Sequence, residues 1–219
     1  MTERRSQGSY DRECVRCPRL AQFLAATRAG HPDYWAKPVP SFGAADPRIL
    51  IVGLAPGMHG ANRTGRPFTG DHAGILLYHT LHEFGLASQP QGASADDGLT
   101  LRNARIANAV KCLPPGNKPL PQEIRSCNAY LASEISTLPQ VRVYLALGRV
   151  AHDAVLMAKG VKRSEYVFGH AREHALPGEV VLLDSYHCSR YNTSTRRLTP
   201  QMFKDVVGRA CVLARVSHV

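Results

Sequence analysis

A run of aliphatic residues, Arg48-Ile49-Leu50-Ile51-Val52, passes directly into GLAPGMHGANRTGRPFTGDHAG at residues 53–74. An apolar run bounded by turn-forming residues reads as a buried strand, and a helical pattern opens near Asp71. The stretch between them is therefore a long loop at the C-terminal end of a strand, which is where open α/β sheets bind their ligands. Five glycines from Gly53 to Gly70, with Pro56 and Pro67, give a backbone that can approach a ligand closely without wandering. Phe68 offers a flat apolar surface, Asp71 a carboxylate, and Asn62, Arg63 and Arg66 polar and cationic groups suited to phosphate. One aromatic wall with few polar groups suits a planar heterocycle better than a sugar or a lipid. The glycine spacing matches neither the dinucleotide fingerprint nor the Walker A loop.

The rest of the chain supplies the sheet that this loop needs. Residues 105–112, 141–147 and 179–184 read as further strands, and helical patterns occupy about 18–30, 71–85, 121–138, 148–159 and 199–215. Strands alternating with helices predict an α/β fold, a three-layer α/β/α sandwich around a four-stranded parallel sheet. Residues 32–47 hold four prolines and read as an extended connector, and residues 166–174 as a less regular patch. At 219 residues without an internal repeat, a single domain over 1–219 is expected, with 1–13 a flexible tail.

The formal net charge of +10 favours a polyanionic partner, although a basic protein kept soluble by its charge has the same balance. Arginines in the loop segments, among them Arg63, Arg66, Arg190, Arg196 and Arg197, tilt the reading toward nucleic acid. The first residues lack the apolar core of a signal peptide, and no apolar run approaches the roughly 18 residues of a membrane span. A soluble, cytoplasmic protein without membrane association is expected. With no heptad seam in view, it is also expected to be a monomer.

Four of the six cysteines have a metal-site layout: Cys14 and Cys17 in a C-x-x-C pair, then Cys112 and Cys127. Four thiolates suit a zinc ion or an iron-sulfur cluster. The cluster is preferred, because zinc ribbons usually close with a second tight pair. Cys112 and Cys127 as plain buried residues are the alternative.

Three other residues have two readings each. Asp71 stands where a helix begins and can cap it, yet a capping carboxylate can still orient a water with its second oxygen. Asn108 interrupts an apolar strand, where an amide must either satisfy neighbouring backbone or present a donor and an acceptor to a base edge. His187 ends the last strand before CSRYNTSTRR, as a surface histidine or as a donor to a leaving group.

Taken together, CVRCPRL, YWAKPVPSFG, GLAPGMHGANRTGRPFTGD, NAVKCLPPGNKP and SYHCSRYNTSTRRLTPQMF resemble, in order, the blocks of the uracil-DNA glycosylase superfamily, in its iron-sulfur branch, family 5. The resemblance implies a [4Fe-4S] cluster on Cys14, Cys17, Cys112 and Cys127. It also implies excision of uracil, and of deaminated bases such as hypoxanthine and xanthine, from double-stranded DNA in base excision repair. By the same resemblance Phe68 stacks on the flipped base, Asn108 reads its edge, His187 donates toward the departing base and Asp71 orients the water. Gly53, Ala55, Gly57, Asn62, Arg66, Arg190 and Asn192 then line the substrate. One departure stands out: many superfamily members read His-Pro-Ser, where this chain has His187-Cys188-Ser189. A non-catalytic, metal-containing DNA-binding protein that recognises damaged or abasic sites is the rival reading, and a hydrolase of free nucleosides a third.

Overall fold

Five-residue strands composed of Ile, Leu, Val and Ala set the architecture, because a strand that is apolar on both faces has to be covered on both. The computed structural model describes residues 10–216. Strand β2 (Ile49–Gly53) is buried along its whole length, as is β4 (Val143–Leu147). They pair in parallel with each other, β2 with β3 (Ala104–Asn108) on its far side, and β4 with β6 (Val180–Ser185). One face of the sheet presents Ile49, Ile51, Ile106, Leu145 and Leu183 to helices α3 (His72–Glu83) and α7 (Pro200–Ala214). The other presents Leu50, Val52, Ala107, Tyr144 and Leu182 to α4 (Pro121–Ser136) and α5 (Arg149–Ala158). Each such buried aliphatic side chain contributes about 1.5–3 kcal/mol relative to leaving it in water. The result is the three-layer α/β/α arrangement.

The sheet has six strands in the order β1-β3-β2-β4-β6-β5, not the four that the sequence predicts. The four predicted strands form the parallel centre. The two additional ones, β1 (Phe42–Gly43) and β5 (Glu173–Leu176), pair antiparallel with β3 and β6 at the edges. Their shortness hides them. A two-residue strand inside a proline-rich connector has no periodicity to detect, and β5 alternates exposed with buried residues over only four positions.

The sheet order also fixes where a ligand can bind. From β2 the chain returns through α3 to β3 on one side, and from β3 through α4 to β4 on the other side of β2. The C-terminal ends of β2 and β4 thus flank a topological switch point, where the departing loops diverge and leave a crevice. A separate small cluster of Leu20, Leu24, Val110, Leu113 and Tyr130 surrounds the four cysteines beside α1 (Pro18–Gly30). Of the expected tail, residues 1–9 lie outside the described residues, while Tyr10 donates its hydroxyl proton to the Pro38 carbonyl oxygen at 2.6 Å.

Candidate functional site

The loops leaving β2, β4 and β6 enclose a cavity of about 500 Å³, a size suited to a small organic ligand. Leu54, Ala55 and Gly57 come from the first loop, Gly148 and Arg149 from the second, and His187 and Arg190 from the third. Asp71 completes the wall from the start of α3. Two residues 116 positions apart in sequence, Asp71 and His187, therefore face one space.

Asp71 does cap α3: its Oδ1 accepts a hydrogen bond from the Gly74 N–H at 2.9 Å. That leaves Oδ2 directed at the glycine loop. A Cβ on Gly60 would lie 2.6 Å from Oδ2, so the loop closes over the carboxylate only because Gly60 has no side chain, whereas a Cβ on Gly57, 3.6 Å from Oδ2, would make an ordinary contact. Burial pushes the Asp71 carboxyl above the usual carboxylate range, against the lowering effect of the Gly74 and Ala73 N–H groups and of His72. A carboxylate held this way is a better proton acceptor than an exposed one.

His187 follows the end of β6. Its ring opens partly onto the cavity but is otherwise enclosed by protein, and this burial lowers its pKa to about 4. The imidazole is therefore neutral at pH 7, a hydrogen-bond donor without charge. The ring of Phe68 stacks on it with centroids 5.9 Å apart. Phe68 adopts a left-handed backbone (φ 54°), held by its surroundings, and a Cβ on Gly74 would collide with the Phe68 carbonyl oxygen at 1.7 Å. Gly53 is the hinge of the arrangement. Its missing Cβ would lie 2.6 Å from Asn108 Oδ1 and 2.7 Å from the Phe68 ring, so the amide and the aromatic face meet at this glycine. Asn108 is 3% exposed and its Oδ1 has no hydrogen-bond partner among the described residues. Such an atom is costly to bury unless a ligand or water completes it.

Of the residues singled out from the sequence, Asp71, His187, Ala55, Gly57 and Arg190 line the cavity, and Gly53, Phe68 and Asn108 adjoin it through the contacts just described. Three others do not line the cavity. Arg66 is 3% exposed, forks onto Asp97 with both bonds at 2.7 Å, donates to Thr69 and lies over the Phe42 ring. It is a buried clamp for the loop at 89–98 and has no free face for phosphate. Asn62 is fully buried within the short helix α2 (Ala61–Thr64) and does not line the cavity. Asn192 acts through another residue: its Nδ2 donates to the His187 carbonyl oxygen at 2.8 Å, pinning the loop from α6 (Arg190–Ser194). The sequence reading missed His72 and Arg149. Arg149, which directly follows a strand-ending Leu147-Gly148, had a usable signal in that position, whereas His72 had none; Gly60 is one of the five glycines read as allowing close approach.

The four predicted metal ligands converge. Cys14, Cys17, Cys112 and Cys127 line one pocket with Arg16, Lys111 and Tyr130, and all four are free thiols. Cys17 precedes α1 and Cys127 lies in α4, and Arg19 ties these helices by forking onto Glu123 at 2.7 and 2.8 Å. Burial, reinforced by the charges of the other three, pushes the Cys112 thiol far up, and burial pushes Cys127 up to about 11. Such a crowd of sulfurs ionises only around a positive centre. The Lys111 N–H donates to Cys127 Sγ at 3.2 Å, a bond that favours the thiolate. The donor set therefore fits a tetrathiolate metal group. It also touches the cavity: Ala55 and Met58 of the glycine loop pack against this cluster.

Comparison with known proteins places the chain in a family. The profile of the uracil DNA glycosylase superfamily matches residues 40–210. The chain is 50% identical to the type-5 uracil-DNA glycosylase of Thermus thermophilus, over 92% of this chain and 94% of that protein. It is 41% identical to the type-5 enzyme of Mycobacterium bovis, covering 93% and 79% of the two chains. With the type-5 enzyme of Pyrobaculum aerophilum the identity is 38%, over 90% and 87%. The match to the profile and these identities over nearly full length establish that the chain belongs to the uracil DNA glycosylase superfamily, in its type-5 branch.

Proposed function

We propose that the protein is a monofunctional DNA glycosylase of base excision repair, hydrolysing the N-glycosidic bond of uracil, and of deaminated bases such as hypoxanthine and xanthine, in double-stranded DNA. The observation that carries this reading is the shared cavity of Asp71 and His187, with Phe68 stacked on the imidazole. Breaking the bond builds positive charge on the sugar and negative charge on the base, so catalysis wants a carboxylate near one and a donor near the other. Asp71 Oδ2 orients the water and takes its proton as the water oxygen bonds to C1′. The bonding electron pair leaves with the base. The neutral His187 ring donates a hydrogen bond to the base as its charge develops, and the unpartnered Asn108 Oδ1 accepts from a base N–H.

A base inside a duplex reaches none of these groups, so the nucleotide is extruded first, at a cost of a few kcal/mol. Stacking on Phe68 and attraction by the basic surface, Arg190 at the cavity mouth included, offset that cost. Cys14, Cys17, Cys112 and Cys127 would hold a [4Fe-4S] cluster, which supplies a covalent tie between the N-terminal segment, the end of β3 and α4. The protein would act as a cytoplasmic monomer, and no described helix is long and apolar enough to cross a membrane. The test is incubation with a uracil-containing duplex followed by alkali: strand breaks at the uracil are expected, and an intact strand would leave the non-catalytic DNA-binding reading.

A further inference from the structure

A second cluster of ionisable groups lies behind the cavity, unused by the reaction. His152 on α5, His174 on β5 and Asp184 on β6 present ligand atoms all within 4.8 Å of one another, and the three residues are 0%, 8% and 0% exposed. Counting protons among them is informative. His152 Nε2 lies 2.9 Å from the carbonyl oxygen of Tyr166, which can only accept, so Nε2 carries a proton. His152 Nδ1 lies 2.8 Å from Asp184 Oδ1, and a second proton has to sit between these two atoms. Asp184 Oδ2 meanwhile faces His174 Nε2 at 3.1 Å and accepts from the Gly169 N–H at 3.2 Å. The Gly169 N–H, which can only donate, stabilises the carboxylate form, and this favours the shared proton on the histidine.

We infer that His152 is a buried imidazolium, protonated on both ring nitrogens, and that through Asp184 it acts as a positioning residue for His187; the second half of this inference rests on the glycosylase reading. The path is short. Regular pairing of β5 with β6 ends at Glu173 and Leu183, and beyond it the strand end is held by the segment 166–172. The Ala171 N–H donates to the Asp184 carbonyl oxygen at 2.8 Å, and the Asp184 N–H to that of Arg172 at 2.9 Å. The Tyr186 N–H donates to His170 Nδ1 at 3.2 Å, with the two rings stacked at 5.0 Å. The next residue is His187. The imidazolium thus fastens the segment to α5 through Tyr166 and to β6 through Asp184, and the segment fixes the backbone from which His187 projects.

The surroundings favour the charge. Burial opposes it, but the hydrogen bond and charge of Asp184, the Tyr166 carbonyl and the charge of Asp153 outweigh that and raise the His152 pKa. Two rings adjoin His152, Phe168 edge-on at 5.7 Å and His174 at 5.3 Å, and the Arg149 guanidinium lies on Phe168, 5.4 Å from its centroid.

The test is nitrogen NMR of the intact chain labelled at histidine, with His152 assigned by its Gln variant. One imidazole should keep both N–H protons well above the ordinary histidine pKa of about 6.5. A neutral ring at pH 7, or a stoichiometric divalent cation bound at these three residues, would overturn the inference. His152→Gln should lower kcat about tenfold or more through misplacement of His187, with KM and abasic-site affinity within about twofold. An unchanged kcat, or a change confined to KM, would refute the positioning role. If the variant does not fold, the His152 ring is assigned instead by through-bond correlation from its backbone, and Asp184→Asn gives the same kcat-against-KM comparison. The wild-type spectrum is independent of uracil cleavage, so failure of the glycosylase reading is told apart from failure of this one.

Discussion

The ring of Phe68 lies over that of His187, with centroids 5.9 Å apart and planes inclined by 26°. A base sandwiched between the two would need about 7 Å, twice the optimal carbon-carbon separation. On the proposed reading, the His187 ring has to shift out of this stack for a base to reach that face of Phe68. Base-aromatic stacking is worth about 1–3 kcal/mol, so Phe68→Leu is expected to lower kcat/KM for uracil excision by about 5- to 150-fold. Single-turnover assays on a uracil duplex measure it, and a value within twofold of wild type would remove Phe68 from the base site.

Gly53 gives a sharper test of the same pocket. An added Cβ would stand 2.6 Å from Asn108 Oδ1 and 2.7 Å from the Phe68 ring, so Gly53→Ala has to displace the Asn108 amide, the Phe68 ring or both. Excision should fall by at least tenfold, about 1.4 kcal/mol of transition-state stabilisation, while circular dichroism stays that of the folded chain. Asn108→Ala removes the unpartnered acceptor and should change the ratio of uracil to hypoxanthine cleavage, read by running both duplexes in one reaction.

The pH dependence follows from Asp71. Burial raises its folded pKa above the ordinary carboxylate value, and it accepts a proton only when ionised, so the acid limb of kcat/KM should have its midpoint above about 3.9. His187, with its pKa lowered to about 4, is neutral at pH 7. The sign for stability is opposite to that of a salt-bridged carboxylate. Between the ordinary and the raised pKa the folded chain binds more protons than the unfolded one, so at neutral pH the buried charge destabilises the fold. Asp71→Asn keeps a capping side chain and loses the charge. It should therefore raise Tm at pH 7, seen by scanning calorimetry, while cutting excision by about 10²–10⁴-fold.

How much of this was legible in the sequence depends on whether a residue's role is local. The strand at 49–53, the glycine loop and the cap at Asp71 follow from periodicity and turn chemistry over a few residues, and the structure has them in place. Four cysteines separated by up to 113 positions are legible because soft donors have few other uses in such numbers. Arg66 misled for the opposite reason. A loop arginine near glycines is as suitable for phosphate as for a carboxylate, and its partner Asp97 lies 31 positions away in a stretch that reads as solvent loop. Asn192 is a similar case, a polar residue after His187 whose amide serves the His187 carbonyl rather than the cavity. The cluster of His152, His174 and Asp184 left no trace in the sequence, because it assembles from a helix, an edge strand and a central strand that only the sheet order brings together.

The cysteine pocket makes the last prediction, since it supports the cavity from outside. Ala55 lines the cavity and also packs against the group that surrounds the thiols, and Lys111 connects Cys127 to the end of β3 just beyond Asn108. With one thiol removed the proposed metal group would be lost, the remaining buried thiols would stay protonated, and nothing would tie Cys14 and Cys17 to α4. Purified under reducing, anaerobic conditions, the protein should be brown, with about four iron atoms per chain. Cys112→Ala should lose the colour and the iron together, and melt at a lower temperature. The glycine loop would lose its backing, so excision should fall even though Asp71 and His187 are intact. A colourless wild-type protein with one zinc per chain would instead assign the four thiolates to zinc. Full activity in an iron-free Cys112→Ala protein would show that the loop keeps its shape without the metal group.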